Sequence, residues 1–255
     1  MFKYIKMHFK SSIEYKVSFI LLSISQLFNL IFSVVVILSL YNKFGVLKNI
    51  NIYQCLLSLS LIDLGFYIAE FTFRGFDTFH KIIKKGNFDI LLIRPENIYL
   101  QILGSEFEPT KFSRLLTGFG LLVYAFIKNG LYTNIANYFI VLLCLVCCFI
   151  LYASILIFGA AVSFYTIDGI EFVNIFTYGT REIGEYPMGI FSKRVILLFT
   201  FFIPIACINY YPLLYMFNKV SNPLFIFTPF AVLIVSLISI LFFNFSLKHY
   251  QSSGS

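Results

Sequence analysis

The sequence predicts an all-α, polytopic membrane protein with six transmembrane helices, an N-terminal interfacial amphipathic helix and a short cytoplasmic amphipathic helix. Three observations predict it. The 255 residues are 59% hydrophobic and only 12% charged, whereas a soluble domain carries about 25% charged residues. Apolar runs recur at the length of about 20 residues that a bilayer-crossing helix needs. The charges, net +7, lie mostly between those runs, so they report topology rather than a nucleic-acid partner. The excess of Ile, Phe, Asn and Lys is that of AT-rich coding and points to a bacterial source.

The chain begins with Lys3, Lys6, Lys10 and Lys16 interleaved with Phe2, Ile5, Phe9 and Ile13 at helical spacing. That pattern predicts a helix over 2–16 lying in the lipid interface; the alternative is a solvated basic tail. The first span follows, about Val17 to Tyr41, too long for the apolar core of a cleaved signal peptide. After a polar link, the second runs from about Tyr53 to Phe73 and is interrupted by Asp63 and Glu70. The longest polar stretch, about Arg74 to Arg114, precedes a weaker third span over about Phe112 to Ile127. The fourth extends from about Asn134 to Tyr165. A polar segment, Thr166 to Arg194, is either cytoplasmic or part of a re-entrant hairpin on the outer side. The fifth span, about Val195 to Phe217, contains Pro204 and Pro212, and the sixth runs from Pro223 to Leu247. No fixed-period repeat or linker divides 1–255, which reads as one membrane domain. With both termini inside, fifteen Lys and Arg fall on the cytoplasmic side and four outside, the asymmetry expected for that orientation.

Chemistry-bearing motifs are few. There is no G-x-x-x-x-G-K-[ST] loop to cradle a nucleotide, and His8, His80 and His249 are scattered. No nucleophile–base or metal-ligand spacing appears, so the chain is expected to be neither an enzyme nor a metal binder. Cys55, Cys144, Cys147, Cys148 and Cys207 lie in or beside apolar runs and read as small packing residues. Asp63 and Glu70, seven apart, share one face of the second span. Acids at membrane depth are costly and mark either a translocation path or a structural bond. Gln26 and Asn29 of the first span, and Asn209, are candidate partners for Asp63. Glu70 is placed to pair with Arg74 four residues on.

Between spans two and three, Phe76, Phe79, Ile82 and Ile83 form one helical face, with Lys81, Lys84 and Lys85 on the other sides and Gly86 as the stop. Such a helix suits the groove of another protein or lies on lipid. Pro204 and Pro212 free backbone carbonyls in the fifth span, giving either a gating hinge or a static kink.

The run Gly86-Asn87-Phe88-Asp89-Ile90-Leu91-Leu92-Ile93-Arg94-Pro95 resembles the G-x-x-D-x-x-L-x-R-P signature of the ABC-2 type permease family. Phe164-Tyr165-Thr166-Ile167-Asp168, Glu185-Tyr186-Pro187-Met188-Gly189-Ile190-Phe191, Thr200-Phe201-Phe202-Ile203-Pro204, Tyr211-Pro212 and the ending Tyr250 to Ser255 resemble it too, over nearly the whole chain. Tyr165, where a Trp pair is commoner, and Glu96 depart from the pattern. The resemblance implies the permease subunit of an ATP-binding-cassette exporter, paired with an identical or homologous second permease. A separate ATPase subunit would bind ATP and Mg, and would dock on a coupling segment, 74–95, through Phe76, Phe79, Ile82, Ile83, Lys84, Asp89 and Arg94. The aromatic-rich spans suggest an amphipathic or apolar cargo. Competing readings are an ion- or proton-coupled secondary transporter using Asp63 and Glu70, and an intramembrane enzyme or assembly factor.

Overall fold

The computed structural model describes residues 16–44, 50–166 and 173–250, and these are all-helical, with no strand among them. The expected 2–16 helix, Ile167, Asp168 and the ending after Tyr250 lie outside the described residues.

Helix α1 (Lys16–Phe44) leads to α2 (Ile52–Asp77), which Gln54 opens by accepting from the backbone N–H of Asn51 at 3.3 Å. Short helices α3 (Phe79–Lys84), α4 (Phe88–Ile93) and α5 (Ile98–Ser105) follow. Then come α6 (Lys111–Lys128) and α7 (Ile135–Val162), joined by a tight turn in which Gly130 adopts φ +67°. Residues 173–185 form α8, a π turn (Ile175–Gly179) running into an α-helix (Thr180–Glu185). Next are α9 (Lys193–Phe201), α10 (Ile205–Asn209) and α11 (Tyr211–Met216). The last is α12 (Val232–Lys248), preceded by a 3-10 stretch, Pro223–Ala231.

Among the described residues, four helices are long and apolar enough to cross a membrane: Lys16–Lys43, Ile52–Lys84, Ile135–Val162 and Pro223–Lys248. The second and third are central, 78% and 67% buried over their most apolar windows, while the first and last are peripheral at 11% and 17%. Their exposed Leu, Ile and Phe side chains suit lipid rather than water. α2 and α7 approach closely because Gly65 has no side chain: a Cβ there would lie 2.5 Å from that of Cys148. The cysteines of α7 are buried, and Cys144, Cys147 and Cys148 belong to the main apolar core.

Two expected spans differ. α6 carries Lys111, Arg114 and Lys128 in eighteen residues, which removes it from the set that qualifies by composition. The expected fifth span is not one rod: Lys193–Phe201 and Ile205–Met216 meet at 103°, and Pro204 caps the second piece with ψ 47°. Pro212 falls in the first turn of α11, where a missing N–H costs nothing.

The segment expected to be polar and peripheral instead runs along α2. Gly159 of α7 meets Val173. Tyr178 then bonds Glu70, Arg181 meets Asp63, Gly184 packs on Ile62, and Gly189 on Ile50. As 173–189 is read forwards, its α2-side neighbours fall from 70 to 50, so α8 lies antiparallel to α2 over most of its length. Gly189, Leu213, Leu214, Phe217 and Lys219 line one pocket with Gln54 and Ser58 at the N-terminal end of α2, so the bent pair α9–α11 leaves from that end and returns to it.

Candidate functional site

The bundle interior is neutral in outline but holds a chain of ions. Asp63 sits near the middle of α2 with its side chain 1% exposed, and Arg114 of α6 meets it with 0% exposure. Nε of Arg114 donates to Oδ2 at 3.0 Å and Nη2 to Oδ1 at 2.7 Å, a two-pronged pair. The third arm of the guanidinium, Nη1, donates to the backbone oxygen of Gln26 at 2.9 Å, tying α1 to the pair. Arg181 of α8 adds a bond to Oδ1 at 3.1 Å and pairs with Glu185 one turn along its own helix. Arg114 lies 4.9 Å and Arg181 5.1 Å from the Tyr67 ring centroid, and Arg181 also lies 5.3 Å from that of Phe66. Two guanidinium groups, two carboxylates and two ring faces thus compensate one another where water is scarce.

A second network lies two turns on. Glu70 is 3.2 Å from Arg74, the expected i,i+4 pair, and 3.1 Å from Lys111. It also accepts from the Tyr178 hydroxyl at 3.2 Å. Arg74 further pairs with Asp77 and, at 3.3 Å, with Glu108.

The partners expected for Asp63 are corrected. Gln26 offers only its backbone oxygen, and to Arg114. Asn29 stands on the exposed face of α1. Asn209 donates to the backbone oxygen of Gly184 and so holds α10 against α8. An amide cannot neutralise a buried carboxylate, whereas a fork of guanidinium N–H groups can. The real partners, Arg114 and Arg181, stand in stretches that hydropathy reads as polar margins. The available signal was that Asp63, deep in an apolar run, demands a cation from another helix.

The 74–95 segment turns its first aromatic residues inward. Phe76 and Phe79 are 1% and 0% exposed. Phe79 packs edge-on against Phe88 and Phe164, with ring centroids 5.3 and 5.2 Å apart, and Phe88 meets Tyr250 at 4.8 Å. With Phe243 these rings fasten α3 and α4 to α2, α7 and α12. Docking on Phe76 and Phe79 would require tearing that cluster open. Ile82 and Ile83 are half-buried, Lys84 and Arg94 are exposed, and Asp89 hydrogen-bonds Tyr250. What the segment presents outward includes Lys81, Lys84, Lys85, Arg94 and three large apolar residues, Ile90 (51% exposed), Leu92 (44%) and Ile93 (83%).

The Gly86 to Pro95 run has a physical reading in this setting. Gly86 takes φ +68°, donates to Ile83 O at 3.0 Å, and Asn87 donates to Ile82 O at 3.1 Å. This is the two-bond left-handed helix stop that favours glycine. Phe88 then drops into the ring cluster, Asp89 stands in the first turn of α4, and Arg94 is extended as the residue before a proline prefers. Gln101 donates to the oxygens of Leu91 and Glu96 at 3.1 and 3.0 Å, closing the segment on itself.

Among the described residues no group of His, Cys, Asp and Glu is arranged to hold a metal ion. No curated protein and no solved structure matches the chain. The family model described as ABC-2 family transporter protein matches residues 18–254, nearly the whole length, and the chain belongs to that family of membrane transporters.

Proposed function

We propose that the chain is the permease subunit of an ATP-driven exporter. In this reading α1, α2, α6, α7, 173–190 and Pro223–Lys248 make six crossings with both termini in the cytoplasm, and 193–216 is a re-entrant hairpin on the outer side. Charge distribution supports the orientation: eleven Lys and Arg lie inside, six outside, and Arg114 and Arg181 within the membrane. A separate ATPase, carrying ATP and Mg, docks from the cytoplasm, and a second permease, identical or homologous, completes the pathway. The cargo is amphipathic or hydrophobic. Asp63 and Glu70 keep no open role as ion carriers in this reading, because both are committed to cations of this chain.

The observation that carries the reading is the α3–α4 hairpin. It is bolted to three long helices by aromatic rings while its outer rim offers four cations and two bare isoleucines. A rigid element fastened in this way passes motion of a docked partner to the bundle without absorbing it. The experiment is reconstitution with a partner ATPase subunit of the ATP-binding-cassette class. The triple substitution Lys81→Glu, Lys84→Glu, Lys85→Glu is expected to abolish co-purification and cargo-stimulated ATP hydrolysis while leaving membrane insertion intact. Undiminished stimulation would refute docking at this rim.

A further inference from the structure

A cavity of about 620 Å³ opens between the α6–α7 turn and the chain leaving α11, within the range of roughly 300–1,000 Å³ typical of small-molecule sites. In the orientation proposed above it faces outward; its chemistry does not depend on ATP, cargo or docking. Among the described residues, those lining it include no Asp, Glu, Lys, Arg or His. A charged ligand would lose hydration there and gain no counter-ion.

The polar lining is amide and hydroxyl. Asn129, Asn134 and Asn137 come from one wall, Asn218 and Ser221 from the other. The fold fixes how these amides are turned. Asn129 Nδ2 donates to Tyr53 O at 2.8 Å and Ala125 O at 2.7 Å, and Asn137 Nδ2 donates to Leu131 O at 3.0 Å. Asn134 uses Oδ1 to cap α7 by accepting from Ala136 N at 2.9 Å. Two carbonyl oxygens and one NH2 group therefore remain as oriented acceptors and donors. Asn218 holds φ +54°, a backbone conformation that a non-glycine residue adopts at some cost. Tyr215 and Phe217 add aromatic surface beside the amides.

We propose that this cavity binds a neutral, polyhydroxylated ligand, a saccharide unit, with its hydroxyls on the amides and a C–H face on the aromatic side. Such a unit arrives either as a free sugar or as the headgroup of a glycolipid in the outer leaflet. The test is calorimetric titration of the full chain in nanodiscs, with maltose in one arm and nanodiscs containing diglucosyl diacylglycerol in the other. Saturable binding in either arm supports the site, and the arm that binds identifies the source. Asn134→Asp keeps the α7 cap, since aspartate caps as well as asparagine, but removes the donor and adds a charge. Combined with Ser221→Leu it is expected to weaken binding at least about tenfold, the loss of one or two hydrogen bonds, with thermal unfolding unchanged. Absence of saturable binding in both arms, equal affinity in the double variant, or tighter binding of cationic glucosamine than of neutral glucose would overturn the proposal.

Discussion

Replacing Arg114 by Met removes a guanidinium while keeping most of its apolar bulk. The structure sets the size of the effect. Three bonds vanish: two to Asp63, at 3.0 and 2.7 Å, and one to Gln26 O. Hydrogen bonds to charged groups contribute about 1.5–3 kcal/mol each, so losing the pair to Asp63 points to about 3–6 kcal/mol. Arg181 remains at 3.1 Å on Oδ1 and offsets part of it, which brings the expectation to about 3–4 kcal/mol, in the range for a buried pair robbed of one partner. Removing the stranded charge as well, in Asp63→Asn with Arg114→Met, is expected to return at least half of that loss, because a neutral amide needs no counter-ion. The assay is reversible unfolding of the four forms of the cycle in mixed micelles, read by far-ultraviolet circular dichroism. Additive losses in the double variant, or a cost below about 1 kcal/mol for Arg114→Met, would show that the ion pair is not the keystone of the interior.

Three further outcomes follow from particular placements. A cysteine at Ser192 is expected to react with an impermeant maleimide from outside, and one at Thr166 only after permeabilisation; labelling of both from the same side would dismiss 173–190 as a crossing, and the reverse pattern would invert the proposed orientation. The five native cysteines are buried, so background labelling is low. Phe79→Asp puts a carboxylate among Phe88, Phe164 and Phe243 and is expected to lose the folded protein altogether, by more than about 4 kcal/mol; soluble, monodisperse protein at wild-type yield would contradict the ring cluster. Gly86→Ala forces a side chain onto φ +68° and is expected to cost about 1 kcal/mol of stability, detectable as a lower midpoint in the same unfolding assay.

The sequence was most informative where apolar length alone decides, and least where charges enter the membrane. The helices over Lys16–Lys43, Ile135–Val162 and Pro223–Lys248 were legible from composition because their own residues form long and almost wholly apolar runs. Residues 173–185 were not, because Arg181, Glu182 and Glu185 lower the hydropathy of the helix, although Arg181 is matched by Asp63 and Glu185. The bend at Pro204 was legible as a proline effect, but not that the chain turns back there, since that depends on where both ends of 193–216 lie. Phe76 and Phe79 were read as one face of a single helix, whereas they stand at the end of α2 and the start of α3, on either side of Thr78; amphipathicity does not say whether apolar residues so spaced seek another protein or the chain's own rings. Gly86 was legible as a stop because its backbone requirement is local.

Asp63 presents its two oxygens unequally, Oδ2 to Arg114 alone and Oδ1 to both arginines, while Arg181 carries Glu185 with it on the same helix. If residues 173–185 were to glide away from α2, the carboxylate would keep its two-pronged grip on Arg114 and the departing guanidinium would keep its own anion. Parting them breaks one salt bridge, the ring contacts of Arg181 with Tyr67 and Phe66 and the Tyr178–Glu70 bond, but strands no ion, so ion pairing leaves that helix freer to change neighbours than the Asp63–Arg114 joint.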